Sequence, residues 1–367
     1  AFNIILHFIE KKILGSFTIF GDFLIYRCAG INFLNNQSPY GVNKLQECLN
    51  SYPNSLDFFY PPITLNFFKF FGYLSLNSAL IIWGLIVFFS FLSIIYFSYK
   101  IFGKKESFFI FLLIFLFSFG GINWIGIMTG NVSILIYGLI SIGIFFLLKR
   151  KYLYFYSLII LISIIKPTYI IFSTLPLLVE GITSTKEIKR TIISILCFLI
   201  IYSLSYLNNP ELFKEFLNNL IHARSEEFKI IFGQGLGISS LIDHSQSLLT
   251  EKLYLDKNSL INTNIFWLII AILFMFYSSL PETIKKTKNQ KIAFGICVIT
   301  LCYPILKHYE CFIVVPCIYF LITNFKSKLR YILIILMFSL HDKYALLFVL
   351  SATFFYEIYF GNKKRLI

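Results

Sequence analysis

The chain has 367 residues, 57% of them hydrophobic and 14% charged, with a formal charge of +14 and a mean hydropathy of +0.77. Soluble domains carry ~25% charged residues, and at ~20 apolar residues per crossing this composition supplies roughly ten spans, which excludes a soluble enzyme, a disordered chain and a single-pass anchor. The apolar runs are continuous rather than alternating, against an outer-membrane barrel, and the excess Lys and Arg cluster in short loops, against a nucleic-acid-binding patch.

Basic clusters set the topology. Lys100 to Lys105, Lys149 to Lys151, Lys186 to Arg190, Lys285 to Lys291, Lys326 to Arg330 and Lys363 to Arg365 are expected in the cytoplasm. Residues 2–20 contain Glu10, Lys11 and Lys12 and make a poor span, so an interfacial segment or the remnant of a first helix is expected. Residues 79–99 are a clean span ending at inner Lys100, which puts residues 21–77 outside. Between 106 and 148 two spans are expected, with Gly120 to Asn131 as the outer turn. Residues 153–179 are too short for two crossings: each half is ~13–15 residues, or ~20–23 Å, against a ~30 Å hydrocarbon core. A short-helix hairpin is expected there and again over 331–360.

Spans near 191–207 and 265–281 flank a second large outer loop, 208–264, in which Pro210 to Ile221 has helical spacing of Leu and Phe and suits the membrane surface. Between 292 and 325 two more spans enclose an outer turn, Tyr303 to Glu310. The expected fold is an all-α polytopic membrane protein, one integral domain over 1–367, with about 11–12 transmembrane or re-entrant helices and two large extracytoplasmic loops.

Several polar groups stand out against this background. Asp22 lies where the chain leaves the membrane, placed to act as a general base or simply to cap a helix. Tyr60-Pro61-Pro62 is a rigid turn into a helix. Lys166-Pro167 interrupts the short hairpin. A mid-membrane lysine costs ~2.5–3.5 kcal/mol on insertion scales; beside a proline-broken backbone it suits a phosphate, though pairing with Glu180 or snorkelling outward accounts for it equally. Lys307-His308-Tyr309-Glu310 gathers groups that donate to, accept from and neutralise an oxyanion, or that merely solvate a turn. His341-Asp342-Lys343 is similar at the last hairpin. The run Gly233 to Ser240 is glycine-rich but matches no nucleotide-binding motif. The seven cysteines have no zinc spacing. Five sit in or beside apolar runs, while Cys28 and Cys48 share the first outer loop and can pair if that loop is extracytoplasmic.

In order along the chain, Asp22-Phe23…Tyr26…Ala29, Asn36-Gln37-Ser38-Pro39-Tyr40, Tyr60-Pro61-Pro62, Gly130-Asn131-Val132-Ser133, Lys166-Pro167, Gln234 to Leu241 and His308-Tyr309 resemble the motifs of the GT-C glycosyltransferases, most closely glycosyltransferase family 87. Asn131 and Ser133 depart from that family's Gly-Gln-x-Asn turn.

The resemblance implies an inverting enzyme that moves a hexose, mannose by family, from a polyprenyl-phosphate sugar to a hydroxyl of a lipid-linked or glycan acceptor. It implies an active site on the outer face of the plasma membrane. Asp22 is the implied base; Lys166, Lys307 and His308 the leaving-phosphate contacts; Tyr26, Tyr40, Tyr60, Asn131, Gln234, Ser240 and Glu310 the substrate contacts. No metal, cofactor or nucleic acid is expected. A lipid-linked glycan transporter or an O-antigen-type polymerase is the alternative reading. Few mid-span charges and no inverted repeat count against the first, and outer loops with only Arg27 and Arg224 against the second.

Overall fold

The structure, a computed structural model, describes residues 20–41, 44–49, 57–103, 106–181, 183–222, 287–302, 311–325, 328–339, 346 and 348–356. Every regular element among them is helical. In chain order they are α1 (Gly21–Leu34), α2 (Gln46–Leu49), α3 (Leu65–Gly72), α4 (Leu76–Phe102), α5 (Phe108–Phe117), α6 (Ile122–Thr129), α7 (Ser133–Leu148), α8 (Tyr152–Ile165), α9 (Leu175–Glu180), α10 (Thr185–Asn208), α11 (Pro210–His222), α12 (Lys288–Leu301), α13 (Val314–Thr323) and α14 (Leu329–Ser339). Short 3-10 turns at Pro62–Thr64, Ser118–Gly120 and Pro167–Thr174 join some of them.

The helix starts follow local chemistry. Ser75 caps α4 by accepting from Ser78 N, Ser107 caps α5 from Ile110 N, and Thr287 with Gln290 forms a capping box on α12. Among the described residues two helices are long and apolar enough to cross a bilayer, α4 with 27 residues and α10 with 24. At 1.5 Å per residue these reach ~36–40 Å, beyond the ~30 Å core. Both expose rows of large apolar side chains, such as Ile81, Leu85 and Phe89 on α4 and Ile193, Leu196 and Ile200 on α10. Water would reject such a face and hydrocarbon accepts it. By contrast α12 is buried on every side from Ile292 to Leu301, as an all-round apolar helix must be.

The stretch read as an outer turn, Gly120 to Asn131, instead contains helix α6. Phe119 at φ 51° and Gly120 and Gly121 at φ 72° reverse the chain, and Gly130 at φ 67° ends the helix. Four glycines in twelve residues read as loop, yet only those at the two ends are needed for the turns.

Lys166 is extended, at φ −129° and ψ 106°, because the Pro167 ring excludes its α conformation. Helix α8 therefore stops at Ile165, a 3-10 stretch follows, and α9 completes the segment.

Packing brings α1 onto α3, α4 onto α7, α7 onto α8, α8 onto α10, and α9 onto α12. The α1–α3 contact needs glycine, since a Cβ on Gly30 would stand 2.4 Å from the Phe68 carbonyl oxygen. An aromatic cluster fills the same junction: Phe23 stacks on Trp83 with centroids 5.0 Å apart, and Tyr26 stacks on Phe68 at 4.9 Å.

Candidate active site

The site forms where the first turn of α1, the α6–α7 loop and the broken end of α8 meet. Asp22 is the acid in the first turn of α1, where the helix dipole favours an anion. Phe20, the residue before α1, is left-handed and donates its N–H to the Met128 carbonyl at 2.8 Å, pinning the start of α1 to the end of α6.

Helix α6 ends in a Schellman turn, with Gly130 left-handed and Asn131 N donating back to Gly126 O at 3.1 Å. The Trp83 indole N–H donates to the Gly130 carbonyl at 2.8 Å and holds the turn against α4. Asn131 follows, 4% exposed. Its Nδ2 donates to Asp22 Oδ2 at 2.7 Å, and its Oδ1 accepts from Ser133 N at 2.9 Å. This Asx turn also starts α7.

Lys166 enters from α8. Its Nζ donates to Ser133 Oγ at 3.1 Å and stands 5.8 Å from the centroid of the Tyr60 ring. The proline behind it leaves Ser163 without its helical N–H partner, and the Tyr202 hydroxyl, from α10, donates to the Ser163 carbonyl at 3.3 Å and the Ile164 carbonyl at 3.4 Å. The carbonyls at the break are thus capped by a phenol, while the lysine reaches Ser133.

Three tyrosines line the remainder. The Tyr26 and Tyr60 hydroxyls are 2.9 Å apart, and Tyr26 OH accepts from Val132 N at 3.3 Å. Burial first, then the neighbouring Tyr60 and Asp22 charges, push the Tyr26 phenol well above its ordinary range. Tyr40 OH donates to the Tyr60 carbonyl at 2.7 Å, and burial likewise pushes its phenol up, helped by Tyr202 and Glu215.

The segment carrying Tyr40 is tied down twice. Cys28 on α1 and Cys48 on α2 form a disulfide. Helix α11 docks on it through Ser38–Glu215, through Asn219 Nδ2 donating to the Phe58 carbonyl at 3.0 Å, and through the Tyr40 and Phe216 rings.

Asp22, Tyr26, Tyr60, Asn131 and Lys166, separate in sequence, therefore form one connected polar chain, with Tyr40 joined through the Tyr60 carbonyl. Gln234, Ser240, Lys307, His308 and Glu310 lie outside the described residues, as does His341-Asp342-Lys343. Ser133 is a link that the sequence does not announce, because there it stands only as a departure from the family turn. Trp83 and Tyr202 gave no local signal, sitting in apolar runs that read as span. Among the described residues no cluster of three or more His, Cys, Asp or Glu could hold a metal ion.

No curated protein and no solved structure matches the chain. The profile of glycosyltransferase family 87 matches residues 58–302, more than half of its length. That stretch contains Tyr60, Asn131, Ser133 and Lys166 and begins after Asp22, but the Asn131 side chain holds the Asp22 carboxylate directly. Family membership carries glycosyltransferase activity, and with two apolar helices long enough to span this is a membrane protein. The chain belongs to glycosyltransferase family 87.

Proposed function

We propose that the enzyme transfers a hexose, mannose in the first instance, from a polyprenyl-phosphate sugar to a hydroxyl of a glycolipid or glycan on the extracytoplasmic face of the plasma membrane. The observation that carries this is the line Asp22–Asn131–Ser133–Lys166, which sets an acid and a cation into one site beside the N-terminus of α7. A sugar transfer needs both. The acceptor oxygen attacks the anomeric carbon, its proton passes to Asp22, and the bond from that carbon to the phosphate oxygen breaks. Negative charge grows on the leaving lipid phosphate, where Lys166 offsets it. Lys307 and His308 join that role by family resemblance. One direct displacement inverts the anomeric centre.

The donor class is supported by the setting. The acid sits on α1, which the Cys28–Cys48 bridge ties to α2, and such bridges persist on the oxidising side of a membrane. Nucleotide sugars are cytoplasmic, so a donor used outside arrives already on a lipid.

The test is transfer of label from polyprenyl-phosphate mannose to glycolipid in membrane vesicles carrying the full chain. Asp22→Asn is expected to lower turnover by about 10²–10⁴-fold, the range for losing a positioned base. Turnover near the normal rate would remove Asp22 from the chemistry.

A further inference from the structure

The direction of the Asn131 carboxamide is decided by its neighbours. The Ser133 backbone N–H can only donate, so the atom 2.9 Å from it is the oxygen and Nδ2 faces the other way. There it meets Asp22 Oδ2 at 2.7 Å, a short bond to an acceptor. The loop cannot easily relax away. Trp83 holds the Gly130 carbonyl, the Tyr26 hydroxyl holds Val132 N–H, and Lys166 holds the Ser133 hydroxyl. Each end of this carboxamide already bonds the protein, and at 4% exposure it offers little surface to a ligand.

We propose that Asn131 is a positioning residue for Asp22, holding one carboxylate oxygen and favouring its ionised form, and is not a sugar contact. Ser133 completes the device. Its N–H orients Asn131 and its hydroxyl receives Lys166, so one residue sets the base and the phosphate cation relative to each other. The proposal rests on Asp22 being the base.

Among the described residues, the charged and titratable groups of the neighbouring elements are engaged as follows. On its own helix Tyr26 is bound to Tyr60 and Val132, and Arg27 donates to the Leu74 carbonyl at 3.0 Å. From α3, Lys69 lies over the Tyr73 ring at 5.9 Å. Tyr60 pairs with Tyr26, and Lys166 reaches Ser133. Helix α6 carries no titratable side chain, and those of α4 (Tyr96, Tyr99, Lys100) are at its far end.

The experiment compares kcat, donor KM and pH dependence for the wild type, Asn131→Ala, Asn131→Asp and Asp22→Asn. The vesicle assay uses polyprenyl-phosphate mannose as donor and vesicle glycolipids as acceptor. Losing a donor to the carboxylate raises the pH at which it takes a proton, and a second carboxylate raises it further. The acid limb of kcat is therefore expected to move up by about one pH unit in Asn131→Ala and by more in near-isosteric Asn131→Asp, with donor KM within about threefold.

A higher KM with the acid limb unmoved would make Asn131 a substrate contact and overturn the proposal. A uniform loss of kcat across pH would reduce it to a structural role and overturn it equally. If Asp22→Asn is inactive while Asn131→Asp keeps the wild-type limb, positioning fails and the base stands. If Asp22→Asn turns over normally, the base reading itself is what fails.

Discussion

Lys166 Nζ donates to Ser133 Oγ across 3.1 Å, joining the broken end of α8 to the first residue of α7. In the proposed mechanism this cation offsets the charge that grows on the leaving phosphate. Lys166→Met is expected to reduce turnover by about 10²–10³-fold, as for removal of one oxyanion contact. Lys166→Arg, which keeps the charge on a larger planar head, should retain part of it. Vesicle transfer assays at saturating donor check both.

Gly130 is the residue whose substitution should spread furthest. At φ 67° it is left-handed, and a Cβ there would lie 2.5 Å from the Phe20 ring and 3.1 Å from Trp83 Nε1. The backbone conformation alone disfavours alanine by about 1–2 kcal/mol, and the clash adds to it. Gly130→Ala is expected to lower the thermal midpoint and, by moving Asn131, activity as well. Gly143 in α7 is the control: its Cβ would meet nothing closer than 3.5 Å, so Gly143→Ala should be neutral or slightly stabilising. Equal effects at the two sites would contradict this account.

Tyr26 gives a pH dependence. Its folded-state phenol is held well above the ordinary value, first by burial. An unfolded tyrosine ionises near ~10. The stability that Tyr26 contributes is therefore complete below that pH and is lost as pH rises beyond it toward the folded value, because the unfolded chain then releases a proton that the folded one keeps. Tyr26→Phe should lose less of its thermal midpoint than the wild type between pH 8 and pH 11 in detergent. Parallel curves would show that this phenol makes no such contribution.

The Cys28–Cys48 bridge closes a loop with a sequence separation of 20. In the chain-entropy treatment that is worth about 3 kcal/mol. Cys28→Ser with Cys48→Ser should lower the thermal midpoint, and reductant should lower that of the wild type but not that of the variant. A wild type indifferent to reductant would mean that the bridge adds nothing.

The helical architecture was legible because composition and backbone rules are local. Apolar continuity dictates helices wherever water is absent, since each backbone group must then be satisfied within its own segment. Pro167 announces the break at Lys166 for the same reason: its ring and missing N–H act on adjacent residues in any fold. Glycine is less transparent. Gly120, Gly121 and Gly130 do make turns, but Gly126 between them sits inside α6, and only the backbone angles separate the two uses.

By itself the sequence determined a membrane-embedded helical chain, the candidate acid Asp22 and the candidate cation Lys166. Only the tertiary structure decided that Asn131 meets Asp22 from 109 residues away, that Ser133 receives Lys166, and that Cys28 reaches Cys48. Charge, hydrophobicity and proline geometry belong to single residues and are read in place. A hydrogen bond between distant side chains depends on how closely two elements approach, and here the Phe20 N–H on the Met128 carbonyl and the Trp83 indole on the Gly130 carbonyl hold α1 and α4 against the end of α6.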